Sequence, residues 1–134
     1  MANVKFKNLP RFKLELDQFK GFTEKQLSQL LRKIAFQTLS GIVEKNPVDT
    51  GRSRANWQVS VNQQPGDQEL DISGTDAGAT LAAGIATLGN VPSFSVIYIY
   101  NNVEYIVYLE QGSSAQAPAG MVRVTIAEVE SQFR

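Results

Sequence analysis

The sequence predicts an α+β fold: a small, mainly antiparallel β-sheet packed by a long helix in the amino-terminal half and by a carboxy-terminal helix. Three observations lead there. Leu27, Leu30, Leu31, Ile34, Ala35, Leu39, Ile42 and Val43 recur at intervals of three and four, which draws one apolar stripe along a helix. Trp57, Val59 and Val61 alternate with Gln58, Ser60 and Asn62, as in a half-buried strand. Val122, Ile126, Val129 and Phe133 return to helical spacing near the end of the chain.

The bulk numbers suit one domain with its own core. The chain has 134 residues, 43% of them hydrophobic, within the ordinary globular range. We divide it into a basic amino-terminal segment, residues 1–21, and a single α+β domain, residues 22–134. Cysteine is absent, which rules out disulfides, thiolate metal sites and a cysteine nucleophile, and suits a reducing compartment. Histidine is absent too, so serine–histidine and cysteine–histidine catalysis are excluded. No apolar run approaches the ~20 residues of a membrane span, and Lys5, Lys7, Arg11 and Lys13 break up any signal-peptide core.

Net charge is zero but unevenly placed. Residues 1–33 carry eight Lys/Arg against Glu15, Asp17 and Glu24, while residues 34–134 carry five against ten Asp/Glu. This is read either as solvated surface, as head-to-tail complementarity between subunits, or as a basic arm near DNA.

Each element follows in order. Phe12, Leu14 and Leu16 alternate with Lys13 and Glu15, which predicts a short extended segment beyond Pro10. Residues 1–21 are either a half-ordered terminus or an arm that docks on a neighbouring subunit. Thr23 caps the first helix with Gln26 completing a capping box, and Phe22 and Leu27 are placed for a hydrophobic staple. The helix runs from about 24 to 45 and stops at Asn46-Pro47. After the first strand, Gln64-Pro65-Gly66-Asp67 reads as a turn, and Leu70 and Ile72 as a short second strand. Asp76 is a candidate cap for a helix carrying Leu81, Ile85 and Leu88, with Gly89 as its stop. Its small residues suit either a connector helix or a close subunit contact. Phe94 to Tyr100 is apolar or aromatic on both faces and belongs in the middle of the sheet. Residues 103–111 read as a short helix closed by Gly112, with a strand continuation as the alternative. Pro118 suits the first turn of the last helix, in which Glu128 and Glu130 face water, although the β-branched run at Val122-Val124-Thr125-Ile126 also allows a strand at its start.

The corner of the fold is Asn46-Pro47-Val48-Asp49-Thr50-Gly51-Arg52-Ser53-Arg54-Ala55-Asn56-Trp57. Pro47 cannot continue the helix and pushes Asn46 out of the α region. Asp49 can bond to backbone NH groups ahead of it, and Gly51 can take a backbone shape that other residues resist. Arg52, Arg54 and the only Trp complete a rigid elbow. Downstream lies Asn101-Asn102-Val103-Glu104-Tyr105, then Leu109-Glu110-Gln111-Gly112-Ser113-Ser114-Ala115-Gln116-Ala117-Pro118-Ala119-Gly120. In type, order and spacing the two blocks resemble those of the neck and tail-completion proteins of long-tailed bacteriophages, over roughly residues 22 to 134.

The resemblance implies a structural virion protein of the head–tail connector. It would complete the tail and join it to the head as a ring, expected to be hexameric, around the DNA channel. The implied partners are other copies of itself, head-completion or connector proteins on one side, and the tail terminator or tail tube on the other. DNA would pass without being read. The motif positions carried over are Asp49, Thr50, Gly51, Arg52, Arg54 and Trp57, with Tyr105, Glu110, Gly112, Gln116 and Pro118. We expect Arg52 or Arg54 to pair with Glu110 and pin the elbow to the loop at 112–120.

Two other readings compete: a tail terminator capping the tube, and an enzyme, either an Asp-Thr-Gly protease or a nuclease. Asp49-Thr50-Gly51 matches the triplet of dimeric aspartic proteases, but it follows a helix stop instead of an apolar strand, and Arg52 would hold Asp49 charged. Glu104, Glu110 and Asp49 have no metal-ligand or glycosidase spacing and read as exposed carboxylates. Gly112-Ser113-Ser114 lacks the Lys of a phosphate loop. Tyr98, Tyr100, Tyr105 and Tyr108 lack interleaved Lys or Arg for stacking nucleic acid and read as core and interface packing. No catalytic residue, metal or cofactor is expected.

Overall fold

A computed structural model describes residues 3–6, 12–13, 21–48, 51–71 and 77–132 of the chain. In chain order the elements are β1 (Asn3–Phe6), β2 (Phe12–Lys13), α1 (Glu24–Lys45), α2 (Arg52–Ala55) and β3 (Gln58–Val61). They are followed by α3 (Gly78–Thr87), β4 (Val96–Tyr100), α4 (Ile106–Glu110) and α5 (Val122–Gln132). The architecture is the expected α+β arrangement.

The sheet has the order β2-β1-β4-β3. β3 runs antiparallel to β4, with Gln58 opposite Tyr100 and Val61 opposite Ile97. β1 runs parallel to β4, with Asn3 opposite Val96, and β2 returns antiparallel to β1. β4 is thus central, as its run of Val, Ile and Tyr predicts. The faces are unequal, however. Ile97 and Ile99 are fully buried, whereas Val96 and Tyr98 on the alternate positions are half-buried.

α1 begins and ends where its local chemistry says it must. Thr23 Oγ1 accepts from Gln26 N at 3.1 Å, and Gln26 Oε1 accepts from Thr23 N at 2.9 Å, a complete capping box. Asn46 leaves the helix with ψ 126°, the extended conformation that a following proline imposes. Leu31, Ile34, Ala35, Leu39, Ile42 and Val43 are buried and form one cluster with Trp57, Ile97, Ile99, Met121, Val122, Ile126 and Val129. Buried Thr38 sits within this stripe, and its hydroxyl donates to Ile34 O at 2.7 Å. α5 lies beside α1, and Lys45 Nζ meets Glu128 at 2.6 Å. Glu128, expected only to face water, therefore ties the carboxy-terminal helix to the end of α1.

Three local expectations are corrected. The chain leaves β3 at Asn62, whose φ is +59°, so the bend comes at residues 62–63 and not at 64–67. Leu70 is in no strand. Its N–H donates to Asn56 Oδ1 at 2.6 Å and its carbonyl accepts from Asn56 Nδ2 at 3.1 Å, so one side-chain amide replaces a ladder partner. Asn102 Nδ2 binds Gly66 O and Gln68 O in the same manner. Pro118 precedes α5 by four residues and is not in its first turn. Ile72, Asp76 and Phe133 lie outside the described residues.

α3 bridges α1 and β3 through its smallest residue. A Cβ on Gly84 would overlap Leu39 Cδ2 and touch Val59 Cγ2, and Leu39 is fully buried and has nowhere to retreat. Gly84 thus serves a close contact within the chain. Gly84→Val is expected to destabilise the protein by about 1–3 kcal/mol through overpacking. Ala82→Val, on an exposed position of the same helix, should cost less than about 1 kcal/mol. Denaturant unfolding of the two variants checks the difference.

Candidate functional site

The elbow after α1 is organised by Asn46, which is 2% exposed. Its Oδ1 accepts from Trp57 Nε1 at 2.8 Å, and its Nδ2 donates to Ser53 Oγ at 2.8 Å and to Pro47 O at 2.9 Å. A buried amide is costly unless paired, and this one is paired at both ends. The same Ser53 accepts through its carbonyl from Asn101 Nδ2 at 2.8 Å. Asn101 lies just beyond β4, so its amide joins the elbow to the end of the central strand.

Between these anchors, Arg52–Ala55 make the single helical turn α2, which alternation of the arginines did not predict. Gly51 precedes it with φ +83°, a left-handed conformation of the kind expected for this position. Asp49 and Thr50 lie outside the described residues, and with them the expected Asp–Arg tie.

The expected pairing of Arg52 or Arg54 with Glu110 is not formed. Arg52 makes a two-pronged ion pair with Glu69, Nη2 to Oε1 at 2.6 Å and Nε to Oε2 at 2.5 Å, and its guanidinium lies 5.8 Å from the Tyr105 ring centroid. The hydrogen bond and charge of Glu69 raise the Arg52 pKa further. Arg54 turns the other way and donates from Nε at 2.9 Å to Val43 O in the last turn of α1, a carbonyl that also accepts from Asn46 N. Both arginines find acceptors closer in the chain than Glu110.

Glu110 has a different task. It is 4% exposed rather than the solvent-facing carboxylate expected. Its Oε1 accepts from Met121 N at 2.9 Å and Val122 N at 2.8 Å, and its Oε2 from Arg123 N at 3.1 Å. A carboxylate at the end of α4 thus caps the start of α5, satisfying three backbone donors and complementing the positive end of the helix dipole. Arg123 encloses it, with Nε 3.2 Å from Oε2 and Nη2 2.7 Å from the Glu110 carbonyl.

Two glycines make this approach possible. Gly112 and Gly120 have φ +91° and +86°. A Cβ on Gly112 would collide with the Pro118 carbonyl, and one on Gly120 with the Glu110 carbonyl and carboxylate. The loop between them folds back on itself at distances that only hydrogen side chains permit. Pro118 therefore contributes its backbone to the loop.

The elbow and loop do meet, through Gln116. Its Oε1 accepts from Val48 N at 3.0 Å and its Nε2 donates to Val48 O at 3.2 Å, a pairing that imitates two strand residues. Pro47, Val48, Gly51, Arg52, Tyr105, Leu109 and Gln116 border a cavity of about 430 Å³ at this junction. The structure thus brings Gly51, Arg52, Tyr105 and Gln116 together, places Trp57 in the core beneath them, and sets Glu110, Gly112 and Pro118 in the neighbouring loop. Sequence reading placed Asn46, Ser53, Asn56 and Asn101 within the two blocks but gave no role to their side chains, the amides and hydroxyl that hold the backbone. Asn46 and Asn101 had one signal, position: the end of a helix beside a proline, and the end of a strand beside a second asparagine.

Among the described residues, Arg52 pairs with Glu69, Arg54 with backbone, and Glu110 with backbone and Arg123. Among the described residues no group of three or more His, Cys, Asp or Glu is placed to hold a metal ion, and no helix is long and apolar enough to cross a membrane.

Among known protein families, the model described as "Bacteriophage HK97-gp10, putative tail-component" matches residues 11–112, which takes in the whole elbow and the first part of the second block through Gly112. No curated protein and no solved structure matches the chain.

Glu110→Ala is expected to cost about 2–4 kcal/mol, because three N–H groups at the start of α5 lose their acceptor together. Arg123→Ala, which removes a side chain 55% exposed, should cost under about 1 kcal/mol. Thermal or denaturant unfolding of both variants checks the order.

Proposed function

The chain belongs to the HK97-gp10-like family of bacteriophage tail components, and on that basis we propose that it is a structural subunit of the phage neck. In this reading it completes the tail and joins it to the head as a ring, with six copies as the expected number, around the channel through which DNA passes. Connector or head-completion proteins lie on one side of the ring, and the tail terminator or tail tube on the other. The family's role implies a location in the virion, after synthesis in the host cytoplasm.

The observation that supports this best is the locked elbow. Asn46, Ser53 and Asn101 tie the end of the longest helix to the end of the central strand, and Gln116 ties the second motif block to the same corner. These side chains hold the shape of the corner, which is what a ring subunit requires: rigid faces set at fixed angles to its neighbours. Heterologous contacts that close on themselves then generate a ring from one kind of subunit.

Particles made without this protein are expected to accumulate as full heads and tails of normal length that do not join, as seen by electron microscopy and restored when the protein is supplied. Tails of uncontrolled length would move the assignment to the tail terminator. Normal joined particles lacking the protein would end the structural reading altogether.

A further inference from the structure

Two charged patches among the described residues have complementary character. On one side of the molecule α1 and α3 border an open groove of about 400 Å³, lined by Gln29, Arg32, Lys33, Phe36, Ile85 and Leu88. Its floor is apolar, and Ile85 is 54% exposed, a large aliphatic side chain left in water. Its rim is basic, with Arg32 and Lys33 both exposed on α1.

The segment after β3 has the opposite character. Asp67, Glu69, Leu70 and Asp71 are all exposed, and Leu70 is 38% exposed between acidic neighbours. Glu69 is engaged by Arg52, which leaves Asp67 and Asp71 as the outer charges of an otherwise fixed segment. The backbone of that segment is held by side-chain amides. Asn56 holds the Leu70 backbone at both its N–H and its carbonyl, and Asn102 holds Gly66 and Gln68. An apolar side chain flanked by acids is thus presented in one conformation, which reduces the entropy lost on binding.

The acidic segment lies at the elbow end of α1, whereas the basic rim of the groove lies in the first half of that helix. The acidic segment is tied to α2 and to Asn56, beside Asn46 at the end of α1. Arg32 is fourteen positions before Asn46, or about 21 Å along a helix of 1.5 Å rise per residue. One chain cannot close this contact on itself. Two chains in the same orientation can, and a contact between two different patches is the kind that propagates around a ring.

We infer that the α1/α3 groove receives the acidic segment 67–71 of a second copy, with Leu70 over Phe36, Ile85 and Leu88, and with Asp67 and Asp71 facing Arg32 and Lys33. This rests on the ring reading above and names the surfaces through which the ring is built. Charge pairs at the rim set orientation and encounter, while the apolar floor supplies the lasting contact.

The test is sedimentation of the full chain over a concentration series reaching about 1 mM, the weak end of specific association. Arg32→Glu, Ile85→Glu and the double variant Asp67→Lys/Asp71→Lys each alter exposed side chains, and circular dichroism is expected to show native folding for all three. Each is expected to weaken self-association by about tenfold or more. An equimolar mixture of Arg32→Glu/Lys33→Glu with Asp67→Lys/Asp71→Lys should regain it, because an alternating ring then sets opposite charges against each other at both rim positions of every contact. Wild-type protein that stays monomeric throughout overturns the inference. So does association that all three variants share equally with wild type. In that last case copies still meet, through other surfaces, and the neck assignment stands or falls on the particle phenotype alone.

Discussion

The buried side chain of Asn46 is the interaction on which the rest depends. It stands where the longest helix stops, and it meets the indole of Trp57, the hydroxyl of Ser53 and the carbonyl of Pro47 at once. Through Trp57 it sets where β3 begins, and through Ser53 and Asn101 it sets where β4 ends. These bonds join the end of α1 to the starts and ends of the neighbouring strands. Apolar burial drives the two layers together but has no direction of its own. The amide supplies the direction, because a buried donor or acceptor left without a partner carries the full penalty of its desolvation.

The same device recurs wherever the backbone leaves regular structure. Asn56 serves Leu70, Asn102 serves Gly66 and Gln68, Gln116 serves Val48, and Glu110 serves the first turn of α5. In each case a side-chain amide or carboxylate stands in for a strand or helix partner. Loops built in this manner hold a shape without needing the length of a strand. For a protein whose surfaces must meet neighbours at set angles, loops fixed in advance spare the entropy of ordering them during assembly.

Electrostatics act at a different level. The buried carboxylate of Glu110 works through hydrogen bonds to backbone and is shielded from solvent. The exposed charges of Arg32, Asp67 and Asp71 add little to the stability of the single chain, since surface pairs in water are weak. Their value lies in orientation, where fields from several groups add together. Arg32 on α1 and Asp67 and Asp71 after β3 stand on separate parts of the described surface.

Much of the fold was legible beforehand, and the reason is locality. The limits of α1 follow from Thr23, Gln26 and Pro47, each acting within four residues of itself. The central place of β4 follows from the unbroken apolar run of Val96 to Tyr100, and the stop at Gly112 from what one residue type alone can do. Membership of a tail-component family was legible too, because the two motif blocks keep their spacing. The partners of the polar side chains were not. Arg52 found Glu69 and Arg54 found Val43 O, although Glu110 was expected, and Glu110 turned inward to cap a helix that begins twelve residues later. A charge or an amide has many acceptors within reach in the sequence, and only the packed layers decide which of them lies within about 3 Å. Periodicity and capping belong to the chain by itself, whereas the pairing of Asn46, Glu110 and Gln116 exists only after helix, sheet and loop have closed around them.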